Sequence, residues 1–173
     1  MNTPDTSVAA ASLGADQLAL ETNMGTIIIQ LQPDAAPKNA KNVYDLAAAG
    51  KYDGTLFHRV IEGFMIQGGD YENGNGTGGQ AFTGGTLNDE INPAYSHVRG
   101  TVAMANRGPN TNGSQFYIVQ QDSTFLDGGY TIIGKVVSGM DTVDAIAAVE
   151  TGAADRPVQD VTITAVRTGV WED

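Results

Sequence analysis

The 173-residue chain contains no cysteine, which excludes disulfide scaffolds, thiolate zinc sites and a cysteine nucleophile. Positive charge is scarce as well: 9 Lys and Arg side chains stand against 20 Asp and Glu, leaving a formal net charge of −11 at pH 7. We therefore expect no basic surface for nucleic acid or for an anionic membrane. No window approaches about 18 consecutive apolar residues, so no membrane-spanning helix is predicted.

Targeting signals are missing from the start of the chain. Its first 15 residues contain no Lys or Arg and no sustained apolar run, so no secretory signal is predicted and we expect a cytoplasmic protein. The length fits about one domain. We predict a flexible N-terminal tail at residues 1–16, a barrel domain at residues 17–168 and a C-terminal tail at residues 169–173, with a monomer as the expected state.

What the sequence has in excess is glycine, with 22 residues. Short β-branched and aromatic runs recur between clusters of Gly, Asn and Asp, a pattern typical of strands. Eight such runs are present, at residues 18–22, 26–31, 55–60, 64–67, 101–105, 116–119, 130–136 and 161–166. Eight strands can close into a barrel filled by side chains. We therefore predict a mainly β fold, a closed eight-stranded antiparallel barrel.

Two segments have helical spacing instead. One is predicted from four apolar positions on a single helix face, namely Ala36, Ala40, Val43 and Ala47. Pro37 suits the first turn of this helix and Gly50 its end. A second helix is expected to begin with a capping box at Ser138 and to place Met140, Val143 and Ala147 on one face. We expect the two α-helices to cap the barrel ends.

Neither a metal site nor a nucleotide site is predicted. The chain has two histidines, His58 and His97, without the spacing of metal ligands. We expect one of them to be structural and the other to lie on the surface. Residues 74–79 satisfy the G-x-G-x-x-G pattern, but no hydrophobic strand precedes them and no helix follows. This segment is interpreted as a loop, within a long stretch from Gly68 to Gly100 that has little periodicity, and no cofactor is expected.

The most informative segment is residues 57–70, where two strands flank a tight turn. Alternation along a strand places Phe57 with Arg59 on one face, and Met65 with Gln67 on one face of the next strand. If these faces coincide, a guanidinium and an amide lie beside an apolar side chain. Arginine presents a fixed fork of donors and does not lose its proton. The spacing alone also fits an ordinary surface arginine.

The wider pattern resembles the cyclophilin-type peptidyl-prolyl cis-trans isomerases, in particular minimal single-domain members of bacterial type. The matching segments are the two signature blocks at residues 57–70 and 104–117, with 75–79, 125–128, Tyr130 and 134–136 around them. The resemblance extends from about Leu18 to Val166 and agrees with the predicted strands and helices. It implies a peptidyl-prolyl cis-trans isomerase that needs no metal or cofactor and acts on proline-containing peptides and unfolded protein clients.

The resemblance also implies roles for individual residues. Arg59 is the catalytic arginine, expected in surroundings that mostly exclude water, and Gln67 and Phe64 are assigned to the catalytic residues with it. The pocket for the proline ring is formed by Phe64, Met65, Tyr117 and Leu126. The groove for the peptide backbone is formed by Gln67, Ala105, Asn106 and Gln115, with Phe125 and Tyr130 at its rim. Because no proton moves in the reaction, we expect a rate that is nearly flat from about pH 6 to 8.

Three positions depart from the common eukaryotic pattern of Phe, Trp and His, namely Tyr117, Phe125 and Tyr130. The hydroxyl of Tyr117 needs a partner or a water molecule in an apolar pocket. Phe125 lacks an indole N–H, which predicts weaker binding of cyclosporin-type ligands with catalysis retained.

Two alternative functions stay open. One is a non-catalytic proline-peptide-binding module or holdase chaperone on the same fold; the other is a lipocalin-like barrel, which would need an empty apolar interior.

Overall fold

The structure is a computed structural model that describes residues 13–172. These residues form nine strands in one antiparallel sheet, with strand order β3-β9-β1-β2-β8-β6-β7-β5-β4. The strands are β1 Gln17–Thr22, β2 Gly25–Leu31, β3 Thr55–Leu56, β4 Arg59–Ile61, β5 Met65–Gly68, β6 Thr101–Met104, β7 Phe116–Val119, β8 Ile132–Ser138 and β9 Thr162–Thr168.

The predicted closed eight-stranded barrel is corrected to a curled nine-stranded sheet. The strand expected at residues 55–60 divides into β3 and β4, which form opposite edges of the sheet. Between them Phe57 and His58 are buried, so the chain crosses from one edge to the other within two residues. Strand β3 approaches the inner strand β5 at Gly68, where a Cβ atom would lie 2.6 Å from the carbonyl oxygen of Leu56. Glycine permits this approach, although no ladder of paired strands closes the sheet there.

Both helices form. Helix α1 covers Pro37–Ala48, with Pro37 in its first turn and Gly50 just beyond its end at φ 73°, as predicted. Its free N-terminal N–H groups on Lys38 and Asn39 donate to the carboxylate of Glu90 at 3.3 and 2.7 Å. This contact satisfies donors that every helix start leaves unpaired.

The start of the second helix differs from its prediction. Helix α2 covers Met140–Ala147, and its N-cap is Gly139 at φ 95° without a side-chain cap. The predicted capping box is therefore wrong, because Ser138 is the last residue of β8. Val143 and Ala147 are buried on the helix face, as expected. Helix α1 packs against β8 and β9, whereas α2 packs against β2, β4 and β5.

Alternation along the strands gives the sheet two apolar faces. In β7, Phe116 and Ile118 join the main hydrophobic core, while Tyr117 and Val119 belong to a second cluster. Neighbouring strands divide in the same way, with Ile66, Val102 and Met104 in the core and Met65 and Ala103 in the second cluster. Since successive side chains point to opposite faces of a sheet, the second cluster lies on the outer face of β5, β6 and β7.

The first and last segments of the described residues meet beside the sheet. Residues 1–12 of the predicted N-terminal tail, and residue 173, lie outside the described residues. The N–H of Asp16 donates to the carbonyl of Val170 at 2.8 Å. The hydroxyl of Tyr44 on α1 donates to Gly169, and its ring packs 5.1 Å from that of Trp171. No helix within residues 13–172 is long and apolar enough to cross a membrane.

Candidate active site

A concave cavity of about 170 Å³, hereafter the small cavity, opens on the outer face of the sheet. Nine side chains line it, and all nine belong to the predicted site: Arg59, Phe64, Met65, Gln67, Ala105, Asn106, Tyr117, Leu126 and Tyr130. Two predicted residues lie beside it instead. Gln115 lines a neighbouring cavity. Phe125 is 76% exposed and stacks on Phe64 with 5.7 Å between the ring centroids.

Strand register explains why these side chains meet. Arg59 of β4 pairs with Gln67 of β5, which in turn pairs with Tyr117 of β7. Met65 lies two residues from Gln67 and therefore points to the same face. The predicted coincidence of the Arg59 and Met65 faces is confirmed. The placement of Phe57 on that face is wrong. Strand structure is interrupted between β3 and β4, and there the side chain of Phe57 enters the main core.

The guanidinium of Arg59 is exposed, and its Nη1 atom lies 3.4 Å from Oε1 of Gln67. Within residues 13–172 no carboxylate forms an ion pair with it. Its donors are therefore available to a ligand in the small cavity. The expectation that water is excluded around Arg59 is wrong for the free protein, since the side chain reaches solvent at the end of an edge strand.

A chain of amide groups determines how Gln67 faces Arg59. Nε2 of Gln115 donates to the carbonyl oxygens of Gly76 and Gly78 at 2.9 and 2.8 Å. Because carbonyls only accept, this amide must turn its NH2 toward them and its oxygen toward Gln67. That oxygen accepts from Nε2 of Gln67 at 3.0 Å. The oxygen of Gln67 is left to face Arg59, so the loop carbonyls set the orientation of the arginine's partner.

The loop that carries these carbonyls is organised by Asp70, a buried residue that the sequence analysis did not single out. Its carboxylate accepts five backbone N–H groups, from Glu72, Asn73, Asn75, Gly76 and Gly78. Burial alone would raise the pKa of this carboxyl, but the backbone hydrogen bonds outweigh it and hold the pKa below its usual range. An aspartate before a run of Asn and Gly is typical of such turns, a signal that could have identified it.

The loop borders a second cavity of about 430 Å³, hereafter the large cavity. It shares Gln67, Ala105 and Asn106 with the small cavity. Its other lining residues include Gln115 and Arg107, whose Nη2 atom donates to the carbonyl of Gly76 at 3.0 Å. The segment at residues 74–79 contains no strand or helix, in agreement with its interpretation as a loop.

Both histidines are buried, which corrects the expectation that one lies on the surface. His58 packs against the loop, where a Cβ atom on Gly76 would lie 2.7 Å from Nε2 of the imidazole. Burial lowers the pKa of His58. His97 supplies the partner that the hydroxyl of Tyr117 requires, at 2.7 Å. Within residues 13–172, no group of three His, Asp or Glu side chains could hold a metal ion.

Comparison with known proteins gives a consistent result. Residues 17–168 match the model of the family described as cyclophilin type peptidyl-prolyl cis-trans isomerase. A peptidyl-prolyl cis-trans isomerase of Arabidopsis thaliana is 47% identical over 150 residues, covering 86% of this chain and 93% of its own. Peptidyl-prolyl cis-trans isomerase-like 1 of Homo sapiens is 48% identical over 145 residues, covering 83% of this chain and 87% of its own. These relatives are eukaryotic, so the bacterial type of the resemblance stays a prediction.

A solved structure shows the same fold. The crystal structure of a cyclophilin type peptidyl-prolyl cis-trans isomerase of Cryptosporidium parvum, determined in the presence of the dipeptide Ala-Pro, has a TM-score of 0.85. It is 35% identical and covers 88% of this chain and 98% of its own.

Proposed function

Because this chain belongs to the cyclophilin-type peptidyl-prolyl cis-trans isomerases, we propose that it rotates X–Pro peptide bonds in the small cavity, with Arg59 as the catalytic donor. The observation that carries this proposal is the position of an arginine that forms no ion pair with a carboxylate of residues 13–172, at the edge of a cavity walled by Phe64, Met65 and Leu126. The cavity seats the proline ring, and the arginine faces the bond that turns.

The reaction needs a transition-state donor rather than an acid or a base. Resonance in the C–N bond gives rotation a barrier of about 18–20 kcal/mol, and uncatalysed isomerisation takes tens to hundreds of seconds. When the amide twists, the proline nitrogen regains a lone pair. A donor aimed at that nitrogen stabilises the twisted form and has little to bind in the planar form, which is the condition for catalysis.

Arg59 has the chemistry that this step demands. An arginine guanidinium is a permanent donor, and Gln67 contacts that of Arg59 from one side. One preorganised donor typically contributes about 2.7–4 kcal/mol. A 10⁵-fold acceleration needs about 7 kcal/mol, so ring immobilisation and hydrogen bonds to the peptide must provide the rest. Because Arg59 is exposed in the free protein, the bound peptide itself must displace water from it.

The remaining predicted residues complete this assignment. Phe64, Met65, Tyr117 and Leu126 hold the ring. Gln67, Ala105, Asn106 and Gln115 border the path of the peptide backbone, with Phe125 and Tyr130 at the rim. We propose that residues 17–168 form the catalytic domain. Clients are proline-containing peptides and unfolded proteins whose folding the enzyme assists, and cyclosporin-type ligands bind with reduced affinity. A cytoplasmic location and a monomeric state stay predictions from the sequence.

The deciding experiment is NMR exchange spectroscopy on an Ala-Pro peptide with catalytic amounts of enzyme. Wild-type protein should accelerate cis-trans exchange, and Arg59→Ala should lower kcat/KM by roughly 10²–10³ with the fold intact. Arg156→Ala is the matched control, since Arg156 is exposed, lines neither the small cavity nor its larger neighbour, and has its ion pair with Asp160 at 3.7 Å. It should change the rate less than twofold.

Two results would overturn the proposal. A loss below fivefold for Arg59→Ala would show that the arginine is not the main donor. Wild-type protein that binds the peptide without accelerating exchange would favour the alternative, a non-catalytic binding module or holdase on the same fold.

A further inference from the structure

Behind the small cavity lies a buried polar cluster that the proposed mechanism does not use. The imidazole of His97 is fully buried and contacts two oxygen atoms. Its Nδ1 lies 2.7 Å from Oδ1 of Asp127, and its Nε2 lies 2.7 Å from the hydroxyl oxygen of Tyr117. Tyr117 lines the small cavity, so the cluster connects the cavity wall to a carboxylate that is 35% exposed.

The donors and acceptors in this cluster have one consistent order. Hydrogen bonds from Ser96 and His97 hold the pKa of Asp127 below its usual range, so its carboxylate is an acceptor only. Nδ1 of His97 must therefore carry a proton. Burial raises the pKa of the Tyr117 hydroxyl, which therefore stays protonated. When Nε2 is unprotonated, this hydroxyl donates a hydrogen bond to it. In the neutral imidazole the order runs from tyrosine to histidine to aspartate.

Three walls of the small cavity depend on this cluster. Tyr117 is hydrogen-bonded to it. The ring of Tyr130 packs edge-on against His97 and Tyr117, with centroid distances of 6.3 and 5.8 Å. Leu126 directly precedes Asp127, whose carboxylate also accepts the backbone N–H of His97 at 2.8 Å. Displacing the imidazole would move residues on different sides of the cavity.

We propose that Asp127, His97 and Tyr117 form a positioning chain that sets the shape of the small cavity and so determines how tightly a proline ring is held. This inference rests on the proposed function, because it takes the small cavity as the seat of the ring. The three residues act through the cavity walls and make no contact with the rotating bond. Their loss should therefore weaken binding more than it slows rotation of the bound peptide.

The first test measures the tautomer of His97 by long-range ¹H–¹⁵N NMR correlation in the wild-type protein at neutral pH. A proton on Nδ1, facing the carboxylate of Asp127, is expected. A proton on Nε2 with an unprotonated Nδ1 would overturn the proposal, since the chain could not then run from Tyr117 to Asp127. This readout needs no variant and does not depend on isomerase activity.

The second test separates binding from rate. In Tyr117→Phe the ring stays and the buried Nε2 of His97 loses its partner. We expect Kd for an Ala-Pro peptide, from an NMR titration, to rise about tenfold, and the exchange rate at saturation to fall less than threefold. Tyr44→Phe is the matched control, because its hydroxyl bonds to Gly169 beside α1. A Kd for Tyr117→Phe within twofold of the wild type would overturn the proposal.

Coupling between the residues completes the design. Asp127→Ala should raise Kd to a similar extent, whereas Asp127→Asn, which keeps an acceptor oxygen, should restore most of the affinity. Asp34→Ala removes an exposed carboxylate elsewhere and is the control. The double variant Tyr117→Phe/Asp127→Ala should be no weaker than the poorer single variant. Additive losses would overturn the proposal. Failure of the proposed function is a distinct result, seen as wild-type protein that does not accelerate exchange.

Discussion

The two neighbouring cavities share Gln67, Ala105 and Asn106 but are built in different ways. The small cavity is made by side chains of the sheet, and the register of β4, β5 and β7 places them. The large cavity is made largely by the main chain of a loop whose backbone N–H groups donate to the carboxylate of Asp70. A strand-built site is held in place by many ladder hydrogen bonds, whereas a loop-built site is only as ordered as its anchor. Gln115 connects the two.

The largest effect is expected at the anchor of the large cavity. Asp70→Ala leaves five backbone N–H groups without their acceptor and should lower the free energy of unfolding by about 3 kcal/mol in urea titrations. Limited proteolysis should become faster within residues 72–86. The control Asp34→Ala removes an exposed carboxylate and should stay within about 0.5 kcal/mol. A change below 1 kcal/mol for Asp70→Ala would mean that water replaces the carboxylate and that the loop orders itself.

Substitution of Gln115, which connects the two cavities, should give the next largest effect. Gln115→Ala removes the acceptor of Gln67 and frees that amide to turn away from Arg59, which should lower kcat/KM about tenfold in the exchange assay. Gln115→Glu should lose at least as much, since a carboxylate cannot donate to Gly76 and Gly78. Gln121→Ala, which removes an exposed glutamine beyond the other end of β7, is the control. Loss below twofold in Gln115→Ala would show that the amide chain does not position the arginine.

A smaller, pH-dependent effect is expected where His58 packs under the loop. Burial lowers the pKa of His58, against the opposing attraction of Asp70. The folded protein therefore takes up this proton less readily than the unfolded chain, whose histidine titrates near ~6.5. The stabilisation associated with the uncharged imidazole of His58 is complete above that pH. It declines as the pH falls through it, by at most ~1.4 kcal/mol per pH unit.

His58→Gln isolates this contribution. The difference in unfolding free energy between the wild type and this variant should narrow or change sign from pH 7.5 to pH 5 in urea titrations. Parallel pH profiles for the two proteins would contradict the assignment. Asp70 does not interfere in this window, because its pKa lies below the usual range of a carboxyl.

The smallest effect is expected at the exposed rim of the small cavity. Phe125→Trp adds an indole N–H beside Phe64 and should raise the affinity for cyclosporin about threefold by calorimetry, with the rate of isomerisation changed less than twofold. Wild-type affinity that already equals that of a tryptophan-bearing cyclophilin would contradict the idea that Phe125 limits binding.

The difference between the cavities also explains what the sequence could predict. Alternation on β4 and β5 placed Arg59, Met65 and Gln67 on one face, and a period of two survives in any regular strand. The prediction from alternation failed at Phe57, because the strand is interrupted between β3 and β4 and the alternation starts again beyond His58. The capping box at Ser138 failed for a similar reason, since β8 continues up to that residue.

Features that depend on loops were beyond the reach of local patterns. The carbonyl groups that orient Gln115 lie more than 30 residues away in the chain, in a segment without periodicity. The hydroxyl of Tyr117 was predicted to need a partner, but that partner, His97, lies 20 residues upstream. No local sequence pattern predicts either of these two contacts between residues far apart in the chain. The sequence does contain Asp70 before an Asn- and Gly-rich run, which is the one local sign of the anchor.

The contact between Trp171 and Tyr44 has a practical use. The chain has one tryptophan, and the ammonium of Lys41 lies 5.1 Å from its ring. Intrinsic fluorescence excited at the indole therefore comes from the junction of the chain's last residues with α1. A shift of that emission at low denaturant, ahead of the main transition, would be an optical record of the C-terminal segment peeling away from an otherwise folded domain.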